Sequence, residues 1–145
     1  FTRAITFEGQ AAMWLEHIAR PASNRDAYPF PICGQELDFR PLLHSVVRDR
    51  LRGRSKTEIA RAFHTAIAQG LSRAATTLCE ANGIDTIVLS GGVFQNEPLL
   101  ESVKSLLAGK PIFIWTNSTV PPNDGGISLG QAALGAIASP GECHA

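Results

Sequence analysis

The amino-acid sequence predicts an α/β fold in which helices flank a sheet. From residue 55 onward the pattern alternates between helix and strand, ending in a helix. This alternation is typical of parallel strands joined by right-handed helical crossovers. The composition agrees, because 44% hydrophobic and 18% charged residues are ordinary for a globular chain. A length of 145 residues suits one domain.

The first third of the chain predicts short elements. An apolar face indicates a helix over residues 8–20, which Pro21 ends. Short strands are expected at 28–33 and 36–39, with prolines confining the first to a sheet edge. A further helix is predicted over 41–51.

The longest predicted helix spans residues 55–82. Ser55 and Glu58 have the spacing of a capping box, and apolar residues recur every three or four positions beyond them. Asn82-Gly83 is a stop signal. Gly70, inside the helix, predicts close packing against a neighbouring element.

Two strands and two helices are predicted after this helix. A β-branched run at 85–89 indicates a strand that is buried on both faces. Asn96 then caps a helix that ends at Gly109, with Leu106 among its inward-facing residues. A strand at 111–116 follows. A helix of small residues at 126–138 predicts close backbone approach to a neighbour.

Charge is spread unevenly although the net charge is zero. Residues 1–73 hold 11 basic and 7 acidic residues, whereas residues 74–145 hold 2 and 6. The basic excess peaks between Arg48 and Arg54. This run is either a solvated helix end or a contact for phosphate or an acidic partner. No aromatic residues interleave it, so we do not expect nucleic-acid binding.

The cysteines and the hydropathy indicate the cellular compartment, and the first residue suggests that the chain is part of a longer protein. The three cysteines, Cys33, Cys79 and Cys143, are an odd number and widely spaced, which fits neither a disulfide framework nor a metal knuckle. We therefore expect a reducing cytoplasm, with Cys79 as a core residue. No apolar run approaches the roughly 20 residues of a membrane span, so no membrane contact is expected. Because Phe1 is not an initiator Met, we expect a C-terminal piece of a longer protein.

The sequence Ser90-Gly91-Gly92 lies between a predicted strand and the helix that Asn96 caps. In α/β sheets ligands bind at the carboxyl ends of strands. Two glycines leave backbone N–H groups open to an anion, and a helix N-terminus adds positive potential. A phosphate or an adenylate would fit here. The alternative is a tight turn that needs positive φ, with Asn96 as a plain helix cap.

Three other positions could carry chemistry. Asp124 precedes two glycines and a predicted helix, so it is either an N-cap or a ligand to a cation beside a nucleotide. Any metal would need further ligands from elsewhere. Glu8-Gly9 is an exposed helix start or a contact for a ribose. His64 is either a satisfied core histidine or a catalytic one. No motif supports a nucleophilic serine or cysteine.

Four segments together resemble one protein family. They are FEGQAA at residues 7–12, IARAFH at 59–64, LSGGVFQN at 89–96 and PPNDGGISLGQ at 121–131. In this order they resemble the C-terminal end of the HypF family, the carbamoyltransferases of [NiFe]-hydrogenase maturation. The resemblance covers essentially the whole chain.

The resemblance implies a fold and a reaction. It implies that residues 1–145 are a single C-terminal lobe of a domain similar to the tRNA threonylcarbamoyl-transfer and O-carbamoyltransferase proteins. Such domains have the two-lobed actin/hexokinase/Hsp70-like (ASKHA) ATPase fold, with a mixed sheet flanked by helices. Family members use carbamoyl phosphate and ATP to form carbamoyl adenylate. The carbamoyl group passes to the C-terminal cysteine of HypE, as a precursor of the cyanide ligand of the hydrogenase iron.

The resemblance also implies roles for particular residues. Ser90, Gly91, Gly92 and Asn96 match the nucleotide-contacting loop, and Glu8-Gly9 lies in the matching first segment. Asp124 matches an aspartate that shares a divalent metal (Zn, Fe or Mg) with two histidines of the preceding lobe, which this chain lacks. No catalytic residue is assigned. We expect the parent protein to be an enzyme and the lone chain to be inactive. The alternatives are a non-catalytic interaction module of the same fold, another ATP-dependent carbamoyltransferase or, less well supported, a sugar kinase.

Overall fold

A computed structural model describes residues 4–138, which hold five α-helices and four short strands. Cys143 lies outside the described residues. The elements in chain order are α1 (Gln10–Ala19), β1 (Ile32–Cys33), β2 (Glu36–Leu37), α2 (Phe39–Leu51), α3 (Lys56–Asn82), β3 (Thr86–Leu89), α4 (Glu97–Leu107), β4 (Phe113–Thr116) and α5 (Ile127–Ala138). Single 3₁₀ turns precede α4 (Gly92–Gln95) and α5 (Asp124–Gly126).

The strands form two separate pairs. β3 and β4 are parallel, with Thr86 opposite Phe113 and Leu89 opposite Thr116. β1 and β2 form an antiparallel hairpin. The predicted α/β class and the predicted parallel pairing are confirmed. Within residues 4–138, however, the pairs are not joined into one mixed sheet.

Helix α3 is the central element of the described chain. It packs against α1, α2 and α4. Its start is capped by the Ser55 hydroxyl, which accepts from the Glu58 backbone N–H and donates to the Glu58 carboxylate. Gly83 ends it with φ of 63°, as predicted. One core cluster lies between α3, α2 and residues 28–30, and the other lies between α3, α4 and the β3–β4 pair.

Gly70 is required because Phe30 lies against α3. A Cβ at position 70 would collide with the ring of Phe30, a residue that is only 3% exposed. The predicted close packing is confirmed. It also explains why the strand expected from residue 28 is shorter: Tyr28 and Phe30 are core residues, and pairing begins only at Ile32.

Several predictions of burial were wrong. Val88 is 64% exposed, so the strand predicted to be buried on both faces is covered on one side only. Phe113 and Trp115, on the same face of β4, are 64% and 65% exposed. We call Val88, Phe113 and Trp115 the outer sheet face. Leu106, predicted to face inward, is also exposed, because α3 covers only one face of α4.

Helix α5 is exposed along the part whose burial is described, residues 127–137. Its apolar residues include Leu134 and Ile137, and the predicted close approach at its small residues is not seen within residues 4–138. The outer sheet face and α5 together leave a large apolar surface uncovered. Exposed apolar surface of this kind is typical of sites that contact protein, ligand or membrane.

A cluster of charged side chains ties the N-terminal loop to α2. The Arg54 guanidinium lies 2.8 Å from Asp26 Oδ2 and 2.9 Å from Asp49 Oδ2. The buried Tyr28 hydroxyl donates to the Asp49 carboxylate at 3.1 Å. Within the basic run, Arg50 and Arg52 are exposed, which agrees with a solvated helix end. The bridging role of Arg54 was not predicted.

This cluster makes stability depend on pH. Hydrogen bonds from Arg54, then from Asn24, lower the pKa of Asp26 from 3.8 to about 2. The stabilisation by ionised Asp26 is therefore complete above pH 3.8 and is lost as the pH falls towards 2. We expect Arg54→Met to lower the free energy of unfolding at pH 7, and the deficit to shrink below pH 4. Urea unfolding across pH 2–7 measures this. Arg50→Met is the matched control, and an equal loss in both variants would contradict the role of Arg54.

A candidate nucleotide site

One cavity brings together the start of α1, the middle of α3 and the loop after β3. Four of the seven predicted site residues line it, namely Glu8, Gly9, Gly92 and Asn96. Ser90, Gly91 and Asp124 do not line it.

The cavity has a volume of about 600 Å³, which lies within the range of roughly 300–1,000 Å³ that is usual for small-molecule sites. Its walls combine apolar side chains with a few polar groups. The apolar side chains include Met13, Phe63 and Ile67, and the polar groups include Glu8, His64 and Asn96. This combination suits a ligand that has both a flat apolar part and polar substituents.

The loop after β3 uses its two glycines differently. Gly91 has φ of 95° and ψ of 164°, a conformation that residues with a side chain avoid. Gly92 does not have positive φ, and a Cβ built on it would meet no atom within 4 Å. The tight-turn interpretation is therefore correct for Gly91. At Gly92, which lines the cavity, neither the backbone nor the packing of the described residues requires a glycine.

Asn96 joins this loop to two helices. Its Oδ1 accepts from the Leu99 backbone N–H at 2.9 Å, so the predicted cap of α4 is confirmed. Its Nδ2 lies 3.1 Å from Nε2 of His64, a residue 32 positions earlier on α3. The other ring nitrogen of His64, Nδ1, lies 2.8 Å from the Ala60 carbonyl oxygen. His64 is thus a satisfied histidine, but its link to Asn96 was not predicted, because no local pattern connects the two segments.

Glu8 and Gly9 also line the cavity. Gly9 has φ of 80° and directly precedes α1. Glu8 is exposed, and within residues 4–138 its carboxylate has no hydrogen bond or ion pair. The structure therefore agrees with an exposed helix start, and it also leaves this carboxylate available to a ligand.

Asp124 does not cap a helix, so that alternative was wrong. The cap of the 3₁₀ turn is Asn123, whose Oδ1 accepts from the Gly125 backbone N–H at 3.0 Å. Gly126 is required by packing, because a Cβ there would lie 2.8 Å from Val120 and 2.9 Å from the Pro121 carbonyl. Asp124 itself is exposed, and its carboxylate makes no hydrogen bond or ion pair within residues 4–138.

Asp124 follows β4, whereas the glycine loop follows β3. Since β3 and β4 are parallel and Leu89 pairs with Thr116, the two loops leave the same end of the pair. Within residues 4–138 no group of three or more His, Cys, Asp or Glu side chains could hold a metal ion. Asp124 therefore offers one carboxylate ligand, and a metal here would need its other ligands from outside residues 4–138.

Comparison with known proteins connects this site to a family. The model of the "Carbamoyltransferase, Kae1-like Domain, second subdomain" matches residues 1–131. The chain belongs to the HypF family of carbamoyltransferases. The predicted resemblance is confirmed.

Individual HypF proteins match nearly the whole chain. Carbamoyltransferase HypF of Rhodobacter capsulatus is 34% identical over 131 residues, which cover 90% of this chain and 17% of that protein. HypF of Synechocystis is 35% identical, with 88% and 16% covered. This chain thus spans about a sixth of the length of these relatives.

Solved HypF structures have the same fold over this region. A crystal structure of full-length HypF in its phosphate- and nucleotide-bound form has a TM-score of 0.86 and 34% identity, covering 99% of this chain and 19% of that one. HypF of T. kodakarensis has a TM-score of 0.80 and 28% identity, covering 91% of this chain and 17% of that one.

No helix within residues 4–138 has both the length and the apolar character needed to cross a membrane.

Proposed function

We propose that this chain is the C-terminal lobe of an ASKHA-type carbamoyltransferase domain and forms one wall of its ATP site. The observation that carries the proposal is the cavity shared by Glu8, Gly9, Gly92 and Asn96. These residues come from two segments that are distant in sequence and both resemble HypF. A full-length HypF with a similar fold over this region was solved in a phosphate- and nucleotide-bound form.

Each wall of the cavity suits a different part of ATP. Met13, Phe63 and Ile67 provide apolar surface for the adenine ring. The free Glu8 carboxylate can accept hydrogen bonds from ribose hydroxyls. The space at Gly92 lets a phosphate or ribose approach the backbone closely. Ser90 and Gly91 would then contribute by setting the course of the loop.

The proposed reaction is that of the family. The parent protein would use carbamoyl phosphate and ATP, form carbamoyl adenylate and transfer the carbamoyl group to the C-terminal cysteine of HypE. Asp124 would supply one ligand to a divalent metal (Zn, Fe or Mg), whose other ligands would be histidines of the preceding lobe. The metal would supply charge stabilisation beside the phosphates. We propose a cytoplasmic location, with neither nucleic acid nor membrane as a partner.

The uncovered apolar surface supports a physical partner, which we propose is the rest of the parent chain. The outer sheet face and α5 expose apolar side chains that a lone soluble domain would normally bury. The same surface favours the second candidate function, a non-catalytic interaction module of this fold. Another ATP-dependent carbamoyltransferase activity is a further alternative.

The direct test measures transfer by the full-length protein that carries this chain. We expect a peptide with the HypE C-terminus to gain the mass of one carbamoyl group on its cysteine, only when ATP and carbamoyl phosphate are both present. Mass spectrometry measures the product. ATP binding without transfer to any acceptor would favour the interaction module instead.

The lone chain is expected to bind ATP weakly. One wall of a cleft buries only part of a ligand, so we expect a Kd in the millimolar range or weaker, about −4 kcal/mol. We also expect self-association through the outer sheet face and α5. Isothermal titration calorimetry and light scattering measure both properties. A monodisperse monomer that binds ATP with micromolar affinity would contradict the two-lobed arrangement.

A further inference from the structure

We propose that His64 is a positioning residue for the ATP site, because it holds the Asn96 side chain in one orientation. This inference rests on the proposed function for its effect on ATP, but the contact itself stands on geometry. The contact joins α3 to the N-cap residue of α4 across 32 residues of chain.

The partners of the His64 ring determine where its proton lies. The Ala60 carbonyl oxygen only accepts hydrogen bonds, so the Nδ1 atom beside it at 2.8 Å carries the hydrogen. In a neutral imidazole Nε2 is then an acceptor. It can accept from the Asn96 Nδ2 group at 3.1 Å.

The same contact fixes the Asn96 amide. Its Oδ1 accepts from the Leu99 N–H, and its Nδ2 donates to His64. A flipped amide would place Oδ1 against the bare Nε2 atom and the NH₂ group against the Leu99 N–H. Both contacts would be repulsive, so only one orientation satisfies all the partners.

The two glycines depend on the residues that flank them, because they are not packed themselves. A Cβ at Gly91 or Gly92 would meet no atom within 4 Å, so these residues do not hold the loop against the core. Leu89 is buried before the glycines, Phe94 packs against the same core cluster after them, and Asn96 secures the end of the loop. Since Gly92, His64 and Asn96 line one cavity, a shift of Asn96 would alter the wall that faces the nucleotide.

Two substitutions separate the nitrogens of His64. His64→Gln extends far enough to present an amide oxygen where Nε2 lies. The shorter side chain of His64→Asn reaches only the position of Nδ1, so the hydrogen bond with Asn96 is lost. In the full-length protein we expect His64→Asn to bind ATP about tenfold more weakly than wild type, as for one lost hydrogen bond. His64→Gln should stay closer to wild type. Calorimetry measures the affinity, and thermal unfolding reports any general loss of stability.

A double-mutant cycle tests whether His64 acts through Asn96. Asn96→Ser retains a side-chain oxygen for the cap but loses the amide that His64 contacts. We expect His64→Asn to have little further effect on ATP affinity in the Asn96→Ser background. Additive effects, or equal affinities for His64→Gln and His64→Asn, would overturn the positioning role.

The ring tautomer provides a readout that does not depend on ATP. Nitrogen NMR of the histidine side chains in the same protein is expected to show His64 neutral and protonated at Nδ1. Protonation at Nε2 would overturn the proposal whatever the ATP results. If the wild-type protein binds no ATP, the proposed function and the predicted effect on ATP affinity are both wrong. The tautomer would still show whether His64 accepts a hydrogen bond from Asn96.

Discussion

Gly92→Val in the full-length protein is expected to weaken ATP binding by at least about tenfold while leaving the fold intact. A valine side chain would fill the open space beside the cavity, where a phosphate or ribose would approach the backbone. Folding should tolerate the change because Gly92 does not have positive φ and its Cβ position is free. Calorimetry with ATP measures the loss, and thermal unfolding checks the fold.

Alanine substitutions at Gly91 and Gly92 distinguish the need for a particular backbone conformation from the need for open space beside the ligand. Gly91→Ala forces a side chain onto φ of 95° and should cost about 1–3 kcal/mol of stability. Gly92→Ala should leave stability unchanged and reduce ATP affinity less than valine does. An ATP affinity that is unchanged in Gly92→Val would show that the nucleotide does not approach this loop.

Local signals in the sequence predicted most of the elements. The Ser55 cap, the Gly83 stop and the Asn96 cap each depend on side chains within four residues, so their geometry can be predicted from spacing. The beginning of α2 was missed by two residues because Asp38, and not the residue before Pro41, is its cap. The boundaries of β1 and β2 depended on burial of Tyr28 and Phe30, which is a tertiary effect.

Burial and long-range contacts could not be predicted in the same way. An apolar strand such as β3 has the same composition whether one face or both are covered, and here Val88 remains exposed. The link between His64 and Asn96 depends on how α3 packs against α4, which spacing along the chain does not reveal. The glycine motif identified the loop, but only the structure showed that the backbone at Gly91 favours glycine whereas the backbone at Gly92 does not.

Asp124→Asn in the full-length protein is expected to abolish carbamoyl transfer and lower the content of bound metal. A ligand to a cation needs the negative charge, which asparagine lacks. The melting temperature should stay within a few degrees, because Asp124 is exposed and Asn123, not Asp124, caps the adjoining turn. Mass spectrometry of the modified peptide measures transfer, and elemental analysis measures metal.

Asn123→Ala is the matched control for Asp124→Asn. It removes the side-chain oxygen that accepts from the Gly125 N–H and should cost roughly 1 kcal/mol of stability. Its metal content should stay normal, because the Asp124 carboxylate is retained. The two variants would thus assign the capping role to Asn123 and the metal-binding role to Asp124, which the sequence alone could not separate. Normal metal content and normal transfer in Asp124→Asn would show that this carboxylate, although free of partners within residues 4–138, is not a ligand.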